Sequence, residues 1–131
     1  NLTHSRADLF RAVCEGIAAG TAHVLETYTE VGALPARVLA VGGGTKNALW
    51  LQATSDFGGV AQQVCDKTIG ASYGDAFLAA CAIGAAQPQD ILTWNPNATT
   101  VQPETVPAYV TQYPLWKRLY AQTKDLMQAL P

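Results

Sequence analysis

The sequence predicts an α/β domain in which a small, mostly parallel sheet is flanked by helices. Two short apolar runs, residues 37–41 and 60–64, alternate with longer segments whose apolar residues recur at helical spacing. All eleven glycines lie between Gly16 and Gly84, whereas five of the seven prolines fall between Pro88 and Pro114. The first part therefore reads as tight-turned α/β structure, and the second as an extended excursion that ends in a helix. A length of 131 residues, 49% hydrophobic and 14% charged, suits one compact domain.

Ser5, with Asp8 three residues on, resembles a capping box, and opens a helix. Leu9, Val13, Ile17, Val24 and Tyr28 carry that helix through about six turns to Gly32, with Pro35 preventing its continuation. Gly16 and Gly20 lie one turn apart on nearly the same face, which implies close approach by a neighbouring helix. Residues 37–41 form a buried strand that runs into Gly42-Gly43-Gly44. A second helix spans residues 47–57, with Leu49, Trp50, Ala53 and Phe57 at helical spacing, and stops at Gly58-Gly59. Residues 60–64 are the second strand. A loop through Asp66 and Gly70 leads to a small-residue helix over residues 73–83, closed by Gly84. An irregular connection is expected over residues 85–112. Tyr113-Pro114 then opens a last helix whose Leu115, Leu119, Leu126 and Leu130 are expected to face inward.

Composition excludes several classes. A net charge of −2 argues against a nucleic-acid partner, which would call for a basic surplus. No run of 18 apolar residues occurs, so no membrane span is expected. Cys14, Cys65 and Cys81 are odd in number and far apart, and neither His4 nor His23 completes a ligand spacing, so no metal site is predicted. Buried thiols in a reducing, cytoplasmic compartment are the expectation. The chain begins at Asn1 and its one methionine is Met127, as in a processed product, an excised domain or a proteolytic fragment. Its first twenty residues lack the pattern of a signal peptide.

The chemistry-bearing constellation is Gly42-Gly43-Gly44-Thr45-Lys46-Asn47, placed between a strand and a helix start. Glycines let a ligand touch the backbone, and helix-start N–H groups attract anions. Thr45 and Asn47 add short polar side chains to that rim. The pattern is neither a Walker A loop nor the dinucleotide fingerprint. From the residues alone, a tight turn and a phosphate site both fit. Asp75, His23, Trp50 and Asp56 read as structural: a packing or hydrogen-bonding variant or a solvated turn position, a surface or satisfied histidine, a core side chain, and local hydrogen bonding near Gly58.

Three segments in this order resemble the C-terminal half of the FGGY carbohydrate kinases, within the actin-like ATPase superfamily. They are residues 6–16, then Gly42-Gly43-Gly44-Thr45-Lys46-Asn47 with Trp50, Gln52 and Asp56, then Gly70-Ala71-Ser72-Tyr73-Gly74-Asp75-Ala76-Phe77-Leu78-Ala79-Ala80. Residues 113–120 resemble the terminal helix of these proteins, and residues 86–108 match most weakly. The resemblance implies a three-layer ribonuclease H-like subdomain of an ATP-dependent kinase that phosphorylates a sugar hydroxyl, a pentulose or similar. It further implies that Gly43 and Gly44 meet the nucleotide through their backbone, with Thr45 beside them, and that Asn47 reads adenine. Family members usually carry a small residue where this chain has Asp75.

The resemblance places the catalytic aspartate, the first phosphate loop, Mg²⁺ and most sugar contacts in another part of the protein. Residues 1–131 are thus expected to be a C-terminal portion, inactive alone, with a core over 1–85, an extended connection over 86–112 and a terminal helix over 113–131. ATP is the expected partner, and the sugar is expected to bind mainly through the missing lobe. An apolar surface exposed by that lobe would favour self-association, the homodimer being its simplest form. The alternative function is a non-catalytic nucleotide-sensing or interaction module of the same superfamily.

Overall fold

The computed structural model describes residues 3–130; Asn1 and Pro131, the two ends of the predicted domain, lie outside them. Helix α1 (Arg6–Glu30) begins at the predicted capping box. The Ser5 N–H donates to Asp8 Oδ2 at 2.7 Å, and the Asp8 N–H donates to Ser5 Oγ at 3.3 Å. Its end is a Schellman closure: Gly32 takes φ +72°, its N–H donates to the Thr29 carbonyl, and the Ala33 N–H donates to the Tyr28 carbonyl. Strand β1 (Val38–Ala40) follows, then a 3-10 turn (Gly43–Lys46) and helix α2 (Ala48–Gly58). Strand β2 (Gln62–Cys65) precedes helix α3 (Ala71–Ala82).

Strands β1 and β2 pair in parallel, Val38 opposite Gln62 and Ala40 opposite Val64, as the strand–helix–strand order requires. The predicted α/β class is therefore present. The sheet differs in one respect, because residues 85–112 are not irregular throughout. A 3-10 turn (Pro88–Asp90) runs into a single helical turn, α4 (Ile91–Trp94), and strand β3 (Asn97–Val101) then adds antiparallel to β2. The result is a mixed sheet in the order β1-β2-β3, with a register shift at Val64/Cys65.

Helix α5 (Pro107–Gln128) opens well before Tyr113, with Pro107 in its first turn and Pro114 inside it. Pro114 had the look of a helix opener, but Pro107 already supplies one. The inward orientation expected of the late leucines is also corrected. Leu115, Leu119, Leu126 and Leu130 are all exposed; α5 turns Tyr109, Tyr113 and Trp116 toward the domain instead.

The core lies between α1 and α2 and is built from small residues. Cys14, Ala18, Ala19 and Ala22 of α1 are buried, as are Ala53, Thr54 and Ser55 of α2. The large apolar residues of α1 fall on another stripe: Leu9, Val13, Ile17, Val24 and Tyr28 are 46–63% exposed. A buried polar relay ties α2 to the sheet. Gln62 Nε2 donates to the Leu51 carbonyl (2.7 Å) and to Ser55 Oγ (3.0 Å), and Ser55 Oγ donates to the Val101 carbonyl (3.2 Å). No helix among the described residues is long and apolar enough to cross a membrane.

Candidate functional site

The glycine turn stands at the carboxyl end of β1, the end where open α/β sheets receive ligands. Gly42 has φ +89°, a conformation that favours glycine, and its N–H donates to the Thr68 carbonyl. That bond fastens the turn to the loop ahead of α3. Gly43 is exposed, and nothing lies within 4 Å of where a Cβ would stand. Gly44 is different: a Cβ there would come within 2.9 Å of the Trp50 ring. The absence of a side chain at Gly44 thus serves the packing of Trp50, while the open surface belongs to Gly43.

The polar residues of the turn are partly engaged by the fold. Thr45 Oγ1 donates to the Gly42 carbonyl at 2.7 Å, which closes the 3-10 turn and leaves the oxygen lone pairs for another donor. Asn47 is the N-cap of α2, its Oδ1 accepting from the Trp50 N–H at 3.2 Å. Its Nδ2 lies 3.7 Å from Cys14 Sγ, a weak contact that uses one of two donor hydrogens. Lys46 is exposed and Asn47 half-buried. A groove of about 290 Å³ opens beside the turn, lined by Gly44, Thr45 and Trp50 together with Thr21 of α1 and Thr54 of α2.

The other singled-out residues take structural places. Asp75 is exposed on α3. His23 packs beside the stacked rings of Trp116 and Tyr120, centroids 5.9 and 5.5 Å away, and its buried Nδ1 stays 3.9 Å from Glu26, too far for a hydrogen bond. Gly20 does receive a neighbouring helix, through Trp116 of α5, but nothing lies within 4 Å of where a Cβ at Gly16 would stand.

Asp56 corrects the expectation of purely local bonding. Its Oδ1 accepts from Gln52 Nε2 and also from the Glu104 N–H, both at 2.7 Å, and Gln52 Nε2 donates to the Gln102 carbonyl. Gln52 and Asp56 thus hold the segment between β3 and α5 onto α2. Nothing in the local sequence marks partners some fifty positions away, so this role was not readable there. The same holds for Asn95, whose side chain bonds both the N–H and the carbonyl of Lys67.

Among the described residues, no group of three or more His, Cys, Asp or Glu side chains is arranged to hold a metal ion. The residues of the glycine turn, Gly42 to Asn47, include no carboxylate that would hold Mg²⁺. They do fit a nucleotide in part, through exposed backbone at Gly43 and adjacent polar side chains.

A parallel β1-α2-β2 unit with a glycine turn at the strand's carboxyl end places the chain in the class of α/β subdomains that receive ligands at that end of the sheet. Comparison with known proteins narrows it. Residues 1–83 match the FGGY family of carbohydrate kinases, C-terminal domain, and the chain belongs to that family. It is 31% identical over 136 aligned residues to the xylulose kinase of Bacillus subtilis (strain 168), covering 97% of this chain and 26% of that protein. A xylulose kinase of Staphylococcus epidermidis is 28% identical, with 94% of this chain and 26% of the relative covered. Among solved structures, the xylulose kinase from Rhodospirillum rubrum superposes with a TM-score of 0.75 at 26% identity, over 98% of this chain and 27% of that one. A structure from Brucella ovis described as a xyloylose kinase gives a TM-score of 0.79 at 29% identity, over 96% and 27%. The chain spans about a quarter of the length of these relatives.

Proposed function

We propose that this chain is the nucleotide-binding C-terminal part of an ATP-dependent sugar kinase acting on a pentulose or similar sugar in the cytoplasm. The observation that carries this reading is the unfilled space at Gly43, at the carboxyl end of β1 and just ahead of α2. Backbone there can approach phosphate or ribose closely, because no Cβ intervenes. Gly44 contributes its backbone, Thr45 its oxygen lone pairs, and Asn47 its remaining amide hydrogen toward adenine. Family membership supports the kinase class, and the xylulose kinase relatives support the pentulose.

ATP supplies the phosphoryl group, and Mg²⁺ would be held by groups outside this chain. Sugar phosphorylation also needs a carboxylate to take the hydroxyl proton. Asp75 does not provide it in this reading; that base and most sugar contacts belong to the remainder of the kinase, and this chain alone is inactive. Its share of the chemistry is to hold the nucleotide's outer end while the other lobe brings the acceptor.

The test is an NMR titration of the isotopically labelled chain with ATP. We expect weak binding, in the millimolar range, with amide shifts centred on Gly43, Gly44 and Asn47 and diminished in Gly43→Val. Shifts confined to another surface would overturn the site, and micromolar affinity would overturn the expectation that the first phosphate loop lies in another part of the protein.

A further inference from the structure

Asn47 is held from several directions, and one of them comes from α1. Its N–H donates to the Gly44 carbonyl at 3.0 Å, and its carbonyl accepts from the Leu51 N–H at 3.1 Å. The backbone is therefore fixed, and the remaining freedom lies in the side chain. The terminal torsion of asparagine is broad and roughly two-fold, so hydrogen bonds decide which way the amide faces. Oδ1 accepts from the Trp50 N–H, and a reversed amide would set two donors against each other there. That bond tells oxygen from nitrogen but leaves the amide plane free to swing about it. Nδ2 finds its own anchor in Cys14 Sγ, 3.7 Å away and 33 positions earlier in the chain. Cys14 is 4% exposed, and the other buried side chains of α1 are Ala18, Ala19 and Ala22, which carry no acceptor. Sulfur accepts weakly, but a bond made out of water meets little competition and a low local dielectric.

We propose that Cys14 is a positioning residue of the nucleotide site: its sulfur takes one hydrogen of the Asn47 amide and thereby aims the other at the base. This role rests on the reading that Asn47 meets adenine. With one hydrogen on sulfur and Oδ1 on the helix cap, the amide offers a single N–H in a fixed direction. That donor suits an unprotonated ring nitrogen of a purine and disfavours a base with its own N–H at that point. Without the sulfur, the amide swings and the same donor is spread over several directions. Affinity for the base then falls, while phosphate, which meets the open backbone at Gly43, is held as before.

The experiment follows the two Asn47 side-chain amide protons of the labelled chain by NMR, first without nucleotide. We expect the proton that faces sulfur to exchange with water at least about threefold more slowly than its partner. ATP should then shift the faster-exchanging proton and leave the slower one nearly still. Both measurements use the unaltered chain and need no variant to fold. Cys14→Ala should raise the slower rate about threefold or more and weaken ATP binding by a similar factor, with binding of inorganic tripolyphosphate, which lacks the base, unchanged. Ala18→Gly loosens the same helix interface but keeps the thiol, so it should leave the exchange rates and the ATP affinity within about twofold. Equal exchange in the unaltered chain, or equal ATP shifts of the two protons, would overturn the proposal. An effect of Ala18→Gly as large as that of Cys14→Ala would make packing the cause and overturn it too, as would a loss of tripolyphosphate binding equal to the loss of ATP. ATP shifts that miss both Gly43 and Asn47 would overturn the nucleotide reading, while the exchange rates would still decide whether Cys14 holds the amide, so the two fail separately.

Discussion

At the scale of single residues, adjacent glycines of one turn do different work. Gly44→Ala would drive a methyl against the Trp50 ring, and thermal or denaturant unfolding should show a loss of about 1–3 kcal/mol. Gly43→Ala meets open space, and the same measurement should show a change within about 0.5 kcal/mol. A second contrast concerns the thiols. Cys14 and Cys65 are buried and Cys81 is half-buried, so a mild aromatic disulfide reagent should label Cys81 first and the other two only as the chain opens. Equal labelling rates for all three would contradict the burial order.

At the scale of elements, α5 is held to α1 by hydrogen-bonded side chains around a small aromatic cluster. Tyr109 stacks on Phe57 with centroids 3.9 Å apart and donates to Glu15 Oε1 at 2.7 Å. Tyr113 donates to Glu26 at 2.9 Å, and Lys117 Nζ donates to both oxygens of the same carboxylate. The Lys117 and Tyr113 bonds hold the Glu26 carboxyl below its usual 4.5, and burial followed by the Glu26 bond raises Tyr113 above the usual tyrosine range. A carboxyl whose folded value is depressed adds stability above its unfolded value and loses it as pH falls through the folded one. Stability should therefore drop as pH falls below about 4.5, and Glu26→Gln should flatten that slope. Because Glu26 and Lys117 are more than a third exposed, Glu26→Gln should cost no more than about 1 kcal/mol at neutral pH. The helix ends were legible because their signals are local: Ser5 with Asp8, Asn47, and the glycines at 32, 59 and 84 each act within a few positions. Strand β3 was not. Asn97-Ala98-Thr99-Thr100-Val101 has no apolar alternation, and it is a strand because β2, more than thirty positions earlier, offers an edge. The start of α5 was misplaced because two prolines compete and only Pro107 stands at a helix start. For the candidate site, Gly42–Asn47 was readable as a strand–turn–helix pattern. The partition between Gly43 and Gly44 was not, since it depends on where the Trp50 ring falls.

At the scale of the whole molecule, periodicity showed an apolar stripe on α1 without showing which stripe the fold would cover. The covered one is Cys14, Ala18 and Ala22, and the uncovered one carries the larger side chains. Among the described residues, Ser55 is the largest side chain that is wholly buried. The α1–α2 interface, assembled from alanine, serine, threonine and cysteine, lets the two helices approach closely yet removes little hydrocarbon from water, and Phe77 and Tyr109 are the large apolar side chains buried elsewhere among the described residues. This has a calorimetric consequence. The heat-capacity increment of unfolding arises mainly from newly wetted apolar area, typically about 12–15 cal/mol/K per residue. Here the value should fall well below that range, and the stability curve should be correspondingly flat, with a broad melting transition. Scanning calorimetry reads this directly, and an increment in the ordinary range would mean that the exposed stripes of α1 and α5 are covered in solution.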